Sequence, residues 1–298
     1  MSKSRAFGHI LALITIIIWG TTFISTKVLL TAFKPVEILF FRFVMGYAAL
    51  LAACPHRLEK VSAKRELSFA AAGICGVTIY YLMENISLTY TMASNASVIV
   101  SIAPFFTGLL AAVFLKEEGK LKSGFFIGFV VAIAGIALIS FNGAQLHFSP
   151  IGDLLALMAA VSWAIYSILI KRIGEYGYKT ILITRRIFFY GILFMIPPLF
   201  FLDFELDLMR FSQPVYLFNT LFLGLGASAM CFVTWNYAVK LLGAMKTSLY
   251  IYMVPVITVI TSSIILKEPI TVLSAIGTAL ILVGLFVSEK PMPIKRKN

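Results

Sequence analysis

Long apolar runs constrain this chain more than any motif in it. Stretches of roughly 20 apolar residues follow one another along the whole length, each enough to span a bilayer as a helix. Only 13% of the residues are charged and 60% are hydrophobic. A soluble domain carries about 25% charged residues, so the chain reads as a polytopic membrane protein. The runs fall at 8–30, 36–54, 67–90, 93–115, 123–141, 151–170, 180–202, 214–238, 244–266 and 271–288. Each crosses about 30 Å of hydrocarbon at about 1.5 Å per residue, with some tilt. The least marked divisions are a tight turn around Thr91 and the break at Lys240 and Gly243. Lys3 and Arg5 precede the first run without a clear small-residue cleavage site, so that run reads as an uncleaved first helix.

Charge placement fits this span count. With the N-terminus inside, only Lys34, Arg210 and Lys267 fall on the outer face. Lys27, Arg42, Arg185 and Arg186 lie inside the runs, and the remaining Lys and Arg fall on the cytoplasmic face. That asymmetry is the one membrane insertion produces. The formal net charge of +12 is spread in short clusters between apolar runs, which suits anionic headgroups and not nucleic acid.

The chain also repeats itself. SIAPFFTGLLAAVFLKEE at 101–118 and YMVPVITVITSSIILKEP at 252–269 match at Pro104 and Pro255, Thr107 and Thr258, Leu115 and Leu266, Lys116 and Lys267, and Glu117 and Glu268. Asn85 and Asn236 share that offset of 151, whereas Trp19, Lys27 and Arg42 precede Trp163, Lys171 and Arg186 by 144. The natural division is therefore 1–144 and 145–298, five spans each. Five is odd, so the second copy enters the membrane from the opposite face, an arrangement suited to alternating access. The expected fold is an all-α membrane protein. It has ten transmembrane helices in two inverted five-helix repeats around a central cavity, and both termini are cytoplasmic.

These segments carry a family resemblance. "IIIWGTTFISTK", "SWAIYSILIKR", "ASNASVIVSIAPFFTGLLAAVFLKEE" and "KTSLYIYMVPVITVITSSIILKEPITVLSAIGTALILVG" resemble the drug/metabolite transporter superfamily and, within it, the EamA-type permeases. The likeness covers nearly the whole chain. It implies a basket of helices around a cavity, with helices five and ten in support. Nearest in character are the bacterial amino-acid exporters, which implies a multi-pass protein of the bacterial inner (plasma) membrane. The implied activity is secondary export of amino acids or related small metabolites, uncoupled or proton-coupled. Exchange or import of phosphorylated or nucleotide-linked sugars stays open, as does a channel. The third residue of the closing triplet departs between the copies, Glu118 against Pro269.

Several residues are candidates for the transport path. Pro104 and Pro255 interrupt their helices, and such breaks persist in lipid where protein or a cavity satisfies the freed groups. They read as gating kinks or as fixed packing kinks. Glu84 and Arg42 are charges well inside their runs and are expected to pair, as an outer gate, a zwitterion binder or a static pair. Glu37 and Lys27 lie nearer the rim. Arg186, as the repeat mate of Arg42, is the better candidate for a cavity-facing or substrate-carboxylate role; Arg185 reads as lipid-facing or interfacial. Trp19, Tyr80, Tyr81, Trp163, Trp235, Asn236, Tyr250 and Tyr252 are candidates for the cavity wall, the alternative being core filling or interfacial anchoring. Asn85 and Asn236 need partners at mid-membrane. Lys116–Glu117 and Lys267–Glu268 read as helix ends. Gly124, Gly128 and Ala132, with Ala275, Gly277, Ala279 and Gly284, read as close-packing faces and as a candidate homodimer contact.

Enzymatic readings find little support. Cys54, Cys75 and Cys231 form no spaced pattern, and His9, His56 and His147 are scattered. No metal site, cofactor, nucleotide-binding loop or catalytic triad is expected. The expected partners are a small organic solute and membrane lipids, with no nucleic acid.

Overall fold

The computed structural model describes residues 3–56, 58, 61–115, 123–140, 149–267 and 272–289, and helix is the only extended secondary structure among them. The helices are α1 Lys3–Leu29, α2 Pro35–Ala53, α3 Ala63–Tyr90, α4 Ala93–Phe114, α5 Ser123–Ser140, α6 Pro150–Gly174, α7 Thr180–Phe201, α8 Pro214–Leu242, α9 Ala244–Ile265 and α10 Val272–Glu289. Eight of them, α1–α4 and α6–α9, are long and apolar enough to cross a membrane. The other two carry shorter apolar stretches, Ser123–Gly135 and Ala275–Ser288.

Local chemistry explains where these helices start and stop. Pro35 and Pro150 open α2 and α6, where a missing amide donor costs little. The Lys34 amide donates to Glu37 Oε2 at 2.8 Å, the returning half of a capping box. Gly243 at φ 91° joins α8 directly to α9, a left-handed turn that a side chain would strain. Lys267 ends α9 at φ 59°. Lys116, Glu117, Glu118, Glu268, Pro269 and His147 lie outside the described residues, as do Arg57, Lys60, Lys120, Lys122 and the tail from Lys290 to Lys297.

Both proline helices are broken just ahead of the proline. In α4 the first segment ends at Val100, a turn follows, and helix resumes at Ala103. In α9 a 3-10 segment, Leu249–Met253, separates Ala244–Ser248 from Val254–Ile265. Each proline thus occupies the first turn of a fresh helix. Thr107 and Thr258, three residues on, donate to the carbonyls of Ala103 and Val254 at 2.9 and 3.0 Å.

Two helices widen instead of breaking. Residues Ile74–Ile79 of α3 and Phe222–Met230 of α8 are π-helical, a geometry that loosens the backbone ladder and is often found at functional sites. Ser162 Oγ reaches the Cys75 carbonyl in the first segment at 2.8 Å, and the Trp19 indole reaches the Ala227 carbonyl in the second at 2.9 Å.

Packing ties the two halves together. Helix α1 packs on α8 and α9, α6 on α3 and α4, α2 on α7 and α8, and α3 on α7. Helix α5 lies along α10. A Cβ at Gly284 would sit 2.6 Å from the Gly128 carbonyl and 2.8 Å from the Ala132 amide, so the backbones are in contact. The glycine faces expected to offer a dimer contact therefore close on each other within one chain, because a backbone crossing this tight requires hydrogen side chains on both sides. Elsewhere the outer surface is apolar, with Phe200, Phe201 and Val113 all strongly exposed, as lipid contact requires.

Candidate functional site

An aromatic cluster fills the space between α1, α3, α6 and α8. Trp19 and Trp163 meet edge to face at 5.1 Å, Trp19 and Trp235 at 5.0 Å, and Tyr80 and Trp163 at 4.9 Å. Tyr81 packs against Tyr80 at 4.6 Å. Phe232 of α8 packs against the rings of Trp19, Trp163, Tyr81, Tyr166, Phe43 and Phe188. Offset and edge contacts of this kind each add about 0.5–1.5 kcal/mol beyond the area they bury.

The cluster walls a small cavity. Trp19, Tyr80, Tyr81 and Trp163 line it with Glu84, and Thr22, Phe23, Val100, Ile251 and Val254 complete the lining. Its volume is about 20 Å³, room for about one water molecule. A solute larger than water enters only if the rings or helices move. Val100 and Ile251 stand four residues before Pro104 and Pro255, so each belongs to a turn whose carbonyl the following proline cannot serve in the α pattern. The two helix breaks thus flank the cavity with residues at matching positions.

Polar atoms without partners gather here. Glu84 Oε2 and Trp163 Nε1 on the cavity wall have no hydrogen-bond partner, and neither do Trp235 Nε1 and Arg42 Nη2 close by. Glu84 is 4% exposed and Arg42 1%. Unsatisfied buried polar atoms are rare, and each calls for a physical reason.

The expected ion pair between Arg42 and Glu84 is not formed. The Arg42 guanidinium lies 4.1 Å from the centre of the Tyr81 ring and 5.3 Å from that of Phe43, while its Nε donates to Ser228 Oγ at 3.0 Å. Aromatic faces and one hydroxyl hold this cation in place of a carboxylate. Glu84 is left facing the cavity.

Four candidates lie elsewhere. Asn236 accepts from the Tyr166 hydroxyl at 2.7 Å and donates to Thr184 Oγ1 at 3.0 Å, so it bridges α6, α7 and α8 and does not face the cavity. Tyr250 bonds His9 Nδ1 at 2.6 Å and ties α9 to the start of α1. Tyr252 is buried among Val98, Leu249, Val259, Ala132 and Ile281, toward α5 and α10. Arg186 pairs with Glu66 and lies 5.5 Å from the ring of Tyr190, well apart from the aromatic cavity. Pro104 and Pro255 are buried but sit behind the residues that line the cavity.

Arg185, read as lipid-facing or interfacial, lies at the C-terminal end of α2. It is 9% exposed and donates to the carbonyls of Cys54 and His56, beyond the last turn of α2. A cation at a helix C-terminus answers the dipole and the unpaired carbonyls there. Glu37 lies in the first turn of α2, nearer the rim than Arg42. It is fully buried at the start of α2, and Arg210 from the loop before α8 pairs with it at 2.8 Å. Burial pulls the Arg210 guanidinium down, but Glu37 and Asp207 outweigh this and raise it above its ordinary value. Arg210 also pairs with Glu205 at 3.2 Å and Lys34 with Glu205 at 3.0 Å, so a charged strap closes the end of the bundle opposite the N-terminus.

Comparison with known proteins agrees with this architecture. The model of the EamA-like transporter family matches twice, over residues 6–141 and 150–289. An Archaeoglobus fulgidus protein described as an uncharacterized transporter is 29% identical over 292 residues, covering 94% of this chain and 96% of the relative. A Streptantibioticus cattleyicolor protein described as a probable terminal-alkyne amino-acid exporter is 27% identical over 278 residues, 93% of this chain and 91% of its own. A solved crystal structure superposes with a TM-score of 0.75 over 96% of this chain and 97% of its own, at 19% identity, a likeness of fold.

Proposed function

The chain belongs to the EamA-like transporter family, and on that premise we propose that it exports a small organic solute bearing an ammonium group, an amino acid or a related metabolite, by alternating access. It is a multi-pass membrane transporter of small molecules and not an enzyme. The observation that carries the substrate class is the Glu84 carboxyl, buried and without a partner at Oε2, in a cavity walled by Trp19, Tyr80, Tyr81 and Trp163. A carboxylate among aromatic faces is the chemistry that recognises an ammonium group. The partnerless Arg42 Nη2 nearby offers a complement to a substrate carboxylate once the site opens.

The transport cycle we infer uses ten membrane helices in two inverted five-helix repeats, 1–144 and 145–298, with both termini in the cytoplasm of a bacterial cell. Exchanging α1–α5 with α6–α10 leaves the packing partners described above unchanged, which supports that reading. So do the two π-helical segments and the two proline breaks, each at an equivalent position in the two halves. The nearly closed cavity favours a carrier over a channel. A phosphorylated sugar is disfavoured, because the charged group on the cavity wall is a carboxyl and Arg42 is the one cation close by among the described residues.

Counterflow in proteoliposomes tests this. The panel holds amino acids, polyamines, purine nucleosides and sugar phosphates, with and without a proton gradient. Exchange of ammonium-bearing solutes alone is the expected result, and the gradient arm separates coupled from uncoupled export. Transport of sugar phosphates in preference to amines, or of no amine at all, overturns the substrate class.

A further inference from the structure

A second, much larger pocket opens between α2 and α7, near the end of the bundle that carries the N-terminus. Its volume is about 570 Å³. Tyr47 and Leu51 of α2 and Leu182 and Phe189 of α7 form its walls, with Arg185 and Arg186 among them. Leu51 and Phe189 are exposed, and the pocket shares no lining residue with the aromatic cavity.

The charge in this pocket is unbalanced. Arg185 donates only to backbone carbonyls, which carry no net charge. Arg186 pairs with Glu66 through Nε and Nη2, leaving further donors on a five-donor guanidinium that is half-buried. Tyr190 donates to the same Glu66 oxygen and adds no charge. Among the described residues two guanidinium groups thus face one carboxylate, beside the apolar side chains of Leu51, Leu182 and Phe189. Arg65 at the start of α3 bonds Tyr178 on the same end, adding to the positive potential of that membrane face.

We propose that this pocket binds the phosphodiester of an anionic glycerophospholipid from the leaflet on the N-terminal side. The phosphate sits against Arg186 and Arg185, and an acyl chain runs along Leu51, Leu182 and Phe189. Guanidinium forks match phosphate oxygens, and basic pockets between membrane helices recognise such headgroups. The site explains why Arg186 and Arg42, mates in the repeat, do different work. Arg42 is sealed under aromatic rings, whereas Arg186 opens to the bilayer edge.

Native mass spectrometry of the delipidated full-length protein, titrated with phosphatidylglycerol, phosphatidylcholine or glycerol 3-phosphate, tests the assignment. Phosphatidylglycerol is expected to bind severalfold tighter than phosphatidylcholine, and glycerol 3-phosphate far more weakly than either lipid. Arg186→Gln lowers phosphatidylglycerol affinity about fivefold, the equivalent of ~1 kcal/mol for one basic group at the membrane surface, and leaves phosphatidylcholine unchanged. Glu66→Gln, which removes the opposing charge, raises phosphatidylglycerol affinity and keeps the test independent of any folding defect in the arginine variant. Equal binding of the two lipids, glycerol 3-phosphate binding as tightly as phosphatidylglycerol, or no change in either variant overturns the proposal.

Discussion

Replacing Glu84 with glutamine separates a binding carboxyl from a structural one. The side chain is 4% exposed, lines the aromatic cavity and leaves Oε2 without a partner. If it receives a substrate ammonium, it contributes a charge-assisted hydrogen bond worth about 1.5–3 kcal/mol. Glutamine keeps the volume and one acceptor oxygen but loses the charge, so about 1.5–2 kcal/mol of that is lost. At ~1.4 kcal/mol per factor of ten, affinity falls roughly 10- to 30-fold. Stability moves the other way or not at all, because a buried amide is cheaper to desolvate than a buried carboxylate with an orphan oxygen. The assay measures concentration dependence of counterflow for the best amine of the panel, and the melting temperature in detergent of the same preparation. Wild-type affinity in Glu84→Gln, or a loss of affinity accompanied by a marked drop in melting temperature, refutes the reasoning.

Other expectations follow from the packing and the strap. A Cβ at Gly76 would overlap the Tyr166 ring, so Gly76→Ala lowers stability by about 1–3 kcal/mol, seen as a lower melting temperature. Arg210→Gln removes the charged partner of the fully buried Glu37, which keeps the Lys34 and Glu205 amides, and costs ~2 kcal/mol, below the ~3–5 kcal/mol of a fully buried pair because Arg210 keeps 19% exposure; denaturation in detergent measures it. Hydrogen bonding to Lys34, then the charges of Lys34 and Arg210, hold Glu205 below its usual 4.5. Its contribution to the strap is therefore complete above pH 4.5 and disappears as the pH falls through the depressed value. Amide exchange across Phe204–Ser212, corrected for intrinsic rates, is expected to be steady near neutrality and to accelerate in acid; a flat profile refutes this.

The sequence made the helical architecture legible because lipid leaves the backbone so few choices. Apolar length alone placed the long helices, and the prolines placed both breaks. A carboxyl inside an apolar run announced Glu84, since its cost demands a reason. The Arg42 pairing was misjudged because sequence reveals charges but not the ring faces that can hold a cation instead. Phe232 was missed altogether: one of 26 phenylalanines, it carries no signal until its six ring neighbours converge on it. The π-helical segments left no mark in composition, because widening a helix by one residue needs no special side chain.

Those segments have a mechanical consequence. A helix containing a π turn holds a surplus residue relative to its α-helical path. Moving that surplus by one position rotates a neighbouring side chain about the axis while the two ends stay anchored, at the cost of only local hydrogen bonds. In α8 the surplus lies between the strap at Arg210 and the ring of Trp235; in α3 it lies between Glu66 and Tyr80. Each of these helices therefore has one place where its backbone ladder can re-register while the membrane ends stay where they are.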